Sequence, residues 1–264
     1  MLKNQLDSTD TIYTRNSKEI KMVTVIVNGA KGRMGSEAVN AINNDPELQL
    51  VGKCDVGDDL TRLIMESGAQ VVVDLTAASA GFNNTKTILN AGARPVIGTS
   101  GFQVEQVKEL QTLAMEKNLG GLIAPNFSVG AVLMMKFAAE AAKYLPDAEI
   151  IEAHSTQKEE SPSGTGIRTA ELIAQARIKN ATAFNDKELI KGARGAELHG
   201  VKLHSIRLPG VVAQQTVFFG GLSETLKIEH NSVHRESFMP GICLACKQVV
   251  KRHELVYGLE HLMD

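Results

Sequence analysis

Two side chains suited to moving protons and charge, His154 and Lys158, stand four residues apart in the run Ile-Glu-Ala-His-Ser-Thr-Gln-Lys-Glu-Glu-Ser-Pro-Ser-Gly-Thr-Gly at 151–166. Imidazole is the side chain most easily tuned to pass a proton near neutral pH. An ammonium is a compact point charge for a carboxylate or phosphate. Ser163, Gly164 and Thr165 follow, and then Ile167, Ala170, Ile173 and Ala174 recur on one face of a helix. The start of a helix offers unpaired N–H groups and the positive end of its dipole to an anion. The run therefore predicts a site that holds a small anion and moves a proton. A plainer reading stands beside it: a solvated loop and a helix that Ser163 or Thr165 simply caps.

Three kinds of element must position these residues. The segment 147–153 alternates polar and apolar residues around two isoleucines, which predicts a strand that delivers His154 into the loop. Upstream lies a different pattern. Val23–Val27 is a short β-branched strand, and Gly29, Gly32 and Gly35 follow as Gly-x-x-Gly-x-x-Gly ahead of a helix to about residue 43. Such spacing serves a tight turn, close approach of a pyrophosphate to bare backbone, and close strand–helix packing. Arg33 and Met34 lie inside the loop, and Asp55 ends the next strand 20 residues beyond Gly35. A carboxylate there suits the ribose hydroxyls of a dinucleotide and repels a 2′-phosphate, so it favours NADH over NADPH. Lys53 and Arg33 offset part of that repulsion, which keeps both nucleotides in play. An ordinary loop aspartate is the alternative for Asp55.

Strand and helix then alternate. Val71–Thr76 precedes a helix expected at 81–90, Arg94–Gly101 precedes one at 104–117, and Gly121–Ala124 runs into Pro125-Asn126-Phe127-Ser128. This order predicts a doubly wound parallel sheet of Rossmann type. Its ligands sit at the carboxyl ends of the strands, where Thr76, Gly98, Thr99, Asn126 and Phe127 fall. Helix capping after a strand is an equal explanation for Thr76 and Thr99. A long helix over 129–144 follows, and the pattern then turns to strands at 148–153, 201–208, 211–219 and 224–230. Pro209-Gly210 and Gly220-Gly221 supply hairpin turns. The expectation is a second α+β domain with a mainly antiparallel or mixed sheet of about four strands, helices on one face and a partner subunit on the other. Helices at 240–252 and 255–262 close the chain.

Composition narrows the function. The chain has 264 residues, net charge −2, no Trp and 4% aromatics, which argues against nucleic acid and anionic membranes as main partners. No stretch reaches membrane-spanning length. Cys54, Cys243 and Cys246 are too few for a disulfide framework and suit a cytoplasmic protein. The lone Cys-x-x-Cys lies in an apolar helical pattern without a second ligand pair, so it reads as packed thiols and no metal site is expected. Residues 1–21 form a mixed polar run, expected to be a disordered tail, with neither the apolar core of a signal peptide nor the composition of a transit peptide.

Glu152-Ala-His154-x-x-x-Lys158-x-x-x-Pro162-Ser-Gly-Thr165 resembles the signature of the bacterial 4-hydroxy-tetrahydrodipicolinate (dihydrodipicolinate) reductases. Asp74-Leu-Thr76, Gly98-Thr-Ser-Gly-Phe102, Ala124-Pro-Asn-Phe-Ser-Val-Gly130 and the stretches 199–212 and 230–241 resemble that family in the same order. The resemblance implies hydride transfer from NADH or NADPH to a small dicarboxylate in the diaminopimelate route to lysine. It implies His154 as general acid, Lys158 as proton donor or charge stabiliser, and Ser163, Gly164 and Thr165 around a substrate carboxylate. It implies a homotetramer, a nucleotide domain over 22–127 with 241–264, and a substrate and tetramerisation domain over 128–240. Three places in the chain depart from the family pattern. Ser155 replaces its second histidine at a substrate-binding position, Glu160-Ser161 replaces Asp-Ala, and Gln214-Gln215 stands where histidine is common. A reductase of another cyclic imine acid and a silent cofactor-binding protein are the alternatives. Survival of His154 and Lys158 speaks against the second.

Overall fold

The computed structural model describes residues 22–99, 101–179, 181–182 and 187–263; the tail expected at 1–21 lies outside the described residues. In chain order the first half runs β1 (Val23–Asn28), α1 (Arg33–Asn44), β2 (Leu48–Cys54), α2 (Leu60–Ser67), β3 (Val71–Asp74), α3 (Ala78–Asn90), β4 (Arg94–Ile97), α4 (Val104–Glu116) and β5 (Gly121–Ile123). The second half runs α5 (Val129–Ala142), β6 (Asp147–His154), α6 (Gly164–Ala176), β7 (Ala196–Leu198), β8 (Val201–Arg207), β9 (Ala213–Gly221) and β10 (Glu224–Ser232). A 3-10 turn at Arg235–Phe238, α7 (Met239–Val249), β11 (Leu255–Tyr257) and a second 3-10 turn at Leu259–Leu262 complete it.

The six strands of the first sheet are parallel, in the order β11-β5-β4-β3-β1-β2. Both faces of β1 are covered, as the buried apolar run Val25-Ile26-Val27 requires. Val25 and Val27 pack toward α1 and α7, while Ile26 packs with residues of α2, α3 and α4 on the other side. Because β1 lies between β2 and β3, the winding reverses beside it, and a crevice opens at the carboxyl ends. The glycine loop sits at that point. Gly29 has φ +80, and a Cβ on Gly35 would lie 2.0 Å from the Gly29 carbonyl oxygen, so the β1–α1 turn needs glycine at both places.

The second sheet is mixed, in the order β10-β9-β6-β8-β7. β6 runs parallel to β8 and antiparallel to β9. Ala148 and Ile150 of β6 are buried against α5 and α6 together with Val217, Phe219 and Ile173. The opposite face is open, with Phe218 39% and Leu226 40% exposed. No helix among the described residues is long and apolar enough to cross a membrane.

Several expectations need correction. The second sheet has five strands, not four, because Ala196–Leu198 adds an edge strand to β8. The helix expected at 255–262 is a strand and a 3-10 turn: Leu255–Tyr257 pairs with β5, and Gly258 at φ 107 ends it. α3 starts at Ala78 rather than 81, and α5 ends at Ala142 rather than 144. Thr76 and Thr99 cap no helix, since Ala77 and Gln103 occupy those N-cap positions.

Candidate active site

His154 ends β6, the central strand of the second sheet, and borders a cleft of about 320 Å³. Met34 of the first turn of α1, Gly98, Asn126 and Phe127 reach the same cleft from the first sheet, and Thr165 reaches it from α6. Those six positions, expected from sequence to serve two different ligands, share one cavity. A larger hollow lies on the open face of the second sheet, around Glu149, Arg194 and Lys202, away from His154.

Parallel β pairing and period-two alternation build the centre. Ala148, Ile150, Glu152 and His154 share one face of β6. Glu152 is wholly buried there. Its carboxylate accepts from His154 Nδ1 at 2.5 Å, from the Ser163 N–H at 3.3 Å and from Arg207 Nη1 at 3.0 Å. Burial opposes its charge, but the bonds from His154, Ser205 and Arg207 outweigh that and hold its pKa down to about 2. Arg207, opposite His154 in the β6–β8 register, also donates to the carbonyls of Lys158 at 3.1 Å and Glu160 at 2.6 Å.

At the start of α6, Ser163 Oγ accepts the Gly166 N–H at 3.0 Å, so the capping role is real. No hydrogen bond among the described residues takes the N–H groups of Gly164 and Thr165. Thr165 Oγ accepts from Asn126 Nδ2 at 3.1 Å, which ties α6 to the end of β5. The structure does not bring the Lys158 ammonium to the cleft: it pairs with Glu160 at 3.7 Å. Ser155 accepts the Lys158 N–H through its carbonyl, and neither its side chain nor that of Ser163 lines the cleft.

The nucleotide side fits a dinucleotide. Gly32 caps α1 without a side-chain bond, leaving the first-turn N–H groups open to a phosphate. Asp55 accepts from the backbone of Lys31 at 2.8 Å and Val56 at 2.9 Å, and the Lys31 bond above all holds its carboxyl below the usual range. Among the described residues, two buried oxygens at the carboxyl edge, Asp74 Oδ2 and Thr99 Oγ1, have no partner, as expected where a bound ligand completes the bonding. The other Asp74 oxygen is taken by Thr76, whose Oγ1 in turn accepts from Asn84.

Sequence reasoning missed Glu152, whose signal was its place two residues before His154 on one strand face. It also left unassigned His230, Ser232, Arg235 and Phe238, which line the cleft. His230 bonds Ser128 Oγ at 3.1 Å, and burial lowers its pKa. Gln214 and Gln215 line the cleft too, the latter donating to Thr169 Oγ1 at 2.7 Å. His204 bonds Glu149 at 3.0 Å on the open face, outside the cleft. Cys243 and Cys246 are buried in α7, and burial pushes the Cys243 thiol up to about 11, which suits packed thiols.

A parallel sheet with a glycine-loop crevice, facing an imidazole and an open helix start on a second sheet, defines a two-sheet oxidoreductase that binds a pyridine nucleotide. The comparisons with known proteins agree. The family model described as dihydrodipicolinate reductase, N-terminus, matches residues 23–127, and the one described as dihydrodipicolinate reductase, C-terminus, matches 130–263. A 4-hydroxy-tetrahydrodipicolinate reductase of Legionella pneumophila (strain Lens) is 51% identical over 90% of this chain and 98% of its own length. One from Streptococcus gordonii is 50% identical over 91% and 99%. The solved structure of a dipicolinate-bound dihydrodipicolinate reductase from Paenisporosarcina sp. TG-14 matches with a TM-score of 0.84 at 40% identity, covering 92% of this chain and all of that one. The chain belongs to the dihydrodipicolinate reductase family.

Proposed function

We propose that the chain reduces 4-hydroxy-tetrahydrodipicolinate to tetrahydrodipicolinate with NADH or NADPH, in the diaminopimelate route of lysine biosynthesis in the cytoplasm. The observation that carries this reading is the shared cleft: His154 from one sheet and Met34, Gly98 and Asn126 from the other border the same cavity. When bound, the nucleotide would supply the hydride that takes the place of the 4-hydroxyl; the hydroxyl leaves with one proton as water, and the nucleotide is left oxidised. Gly29, Gly32, Arg33 and Met34 hold the pyrophosphate side. Asp55 takes the ribose and favours NADH. Thr76, Gly98, Thr99, Asn126 and Phe127 surround the nicotinamide.

His154 donates the proton from Nε2, because Nδ1 is engaged by Glu152. The free N–H groups of Gly164 and Thr165 hold a substrate carboxylate at the positive end of α6. Ser163 orders that turn; Ser155 and Lys158 lie on the loop beside the cleft, whose closure would bring Ser155 to the substrate and Lys158 in as proton donor or charge stabiliser. The unit formed by 22–127 with 241–264 is the nucleotide domain; the pairing of β11 with β5 and the packing of α7 on the first sheet support it. Residues 128–240 form the substrate and assembly domain. The open face of its sheet, with Phe218 and Leu226 half exposed, supports a homotetramer closed through that face.

Turnover tests this reading. Purified protein receives NADH or NADPH and substrate generated in place from pyruvate and aspartate semialdehyde by the preceding synthase, and absorbance loss is followed. Wild type should oxidise the nucleotide, and His154→Ala should lose about 10²–10⁴-fold in kcat, the usual worth of a general acid. Bound cofactor without turnover would sink the substrate assignment and favour another cyclic imine acid, tested with a substrate panel; Ser155 and Gln214 are the residues that would explain it.

A further inference from the structure

We propose that the buried pair Glu152–Arg207 is a positioning unit, in which Glu152 fixes the ring and tautomer of His154 and Arg207 holds the loop that carries Lys158. The proposal deepens the reductase reading and rests on it for the meaning of His154. Its geometry stands alone. Glu152 is wholly buried, and burying an unpaired carboxylate is costly. This one is met from every side: by the His154 ring on its own strand, Arg207 and Ser205 on β8, and the Ser163 N–H at the start of α6. One carboxylate thus touches the proton donor and the first residue of the anion-holding turn.

The consequences follow from donor chemistry. An ionised carboxylate only accepts, so the nitrogen facing it, Nδ1, must carry a proton. Nε2 is then the nitrogen left to serve the cleft. When Nε2 gives its proton to the substrate, the Nδ1 proton stays in place and the neutral ring is left as the Nδ1–H tautomer. Nε2 is then bare and ready for a proton from solvent. The carboxylate also stabilises the imidazolium before transfer, as the buried aspartate does for histidine in hydrolase triads. Arg207 has a second task. Its guanidinium spans Glu152, the Lys158 carbonyl and the Glu160 carbonyl, so the same side chain that neutralises Glu152 pins the loop at two points. A lysine cannot make that fork.

The test uses the full chain and two variants. Glu152→Gln keeps size and one acceptor but places an NH₂ donor within reach of Nδ1. Long-range ¹H–¹⁵N spectra of ¹⁵N-histidine protein, with the His154 signals assigned by their loss in His154→Ala, read the tautomer without any turnover. Wild type should show Nδ1–H, and Glu152→Gln should shift toward Nε2–H. Its kcat should fall about 10- to 1,000-fold with NADH affinity within about twofold. Arg207→Lys should keep the Nδ1–H tautomer and raise KM at least about fivefold more than it lowers kcat. A folded Glu152→Gln protein with wild-type tautomer or wild-type kcat would overturn the Glu152 role. An unchanged KM in Arg207→Lys would overturn the loop-holding role. Failure of the reductase reading is separable: wild type would then lack turnover while the tautomer change persists.

Discussion

Replacing Glu152 with glutamine removes a charge whose contribution to stability has a defined pH window. In the fold the Glu152 pKa lies near 2, against an ordinary value of 4.5, so the native state favours the ionised form. A depressed carboxylate contributes stability that is fully present above the unfolded value and disappears as pH falls through the folded one. The fall from 4.5 to about 2 is worth about 3 kcal/mol, at 1.36 kcal/mol for each tenfold change in proton affinity. The margin of wild type over Glu152→Gln should therefore fall by about 3 kcal/mol between pH 6 and pH 2, most of it between about pH 4.5 and 2. Exposed carboxylates with lowered values, Glu188 and Glu229 among them, are present in both proteins and cancel in the difference. Urea melts followed by circular dichroism, at one protomer concentration and with m-values compared, supply the assay. A difference that stays constant from pH 6 to pH 3 would refute the claim that Glu152 is ionised through its bonds to His154 and Arg207.

Three further perturbations have set directions. Gly35→Ala places a methyl group 2.0 Å from the Gly29 carbonyl oxygen, so the loop must open; NADH affinity by fluorescence titration should fall at least about tenfold. Phe219, 1% exposed in the core of the second sheet, should cost about 3–5 kcal/mol on truncation to alanine, read as a lower urea midpoint with unchanged m-value. Asp55→Ser keeps a short oxygen for Lys31 but removes the charge, so the ratio of NADPH to NADH rates should rise; an unchanged ratio would remove Asp55 from cofactor choice.

The first sheet was legible because its strands are short, mainly apolar and separated by helices and glycine punctuation, patterns that depend on neighbours in sequence. Val23–Asn28 with Gly29 and Gly35 is the clearest instance. The misses lie where local pattern is too short to carry a period. Ala196–Leu198 has three residues between Gly195 and Gly200, and only its pairing with β8 makes it a strand. Leu255–Tyr257 read as helix because Leu259 and Leu262 continue its apolar spacing; the free edge of β5 draws it into the sheet instead.

The centre of the site divides along the same line. Glu152 was within reach of sequence reasoning, since period two on β6 puts it on the same face as His154 whatever the strand pairs with. Arg207 was not. Its place depends on β8 lying parallel to β6 in the one register that sets Arg207 opposite His154 and Ser205 opposite Glu152. A slip of one residue would turn Arg207 to the open face and leave Glu152 buried without its guanidinium. The register is fixed elsewhere, by Val201 and Leu203, which are buried against the helices in the same alternation that ends at Arg207. The apolar residues that anchor β8 to the core therefore also deliver the charge that keeps Glu152 ionised. Substitutions at Leu203, far from the proton-transfer atoms, should on that account disturb the His154 tautomer as well as stability.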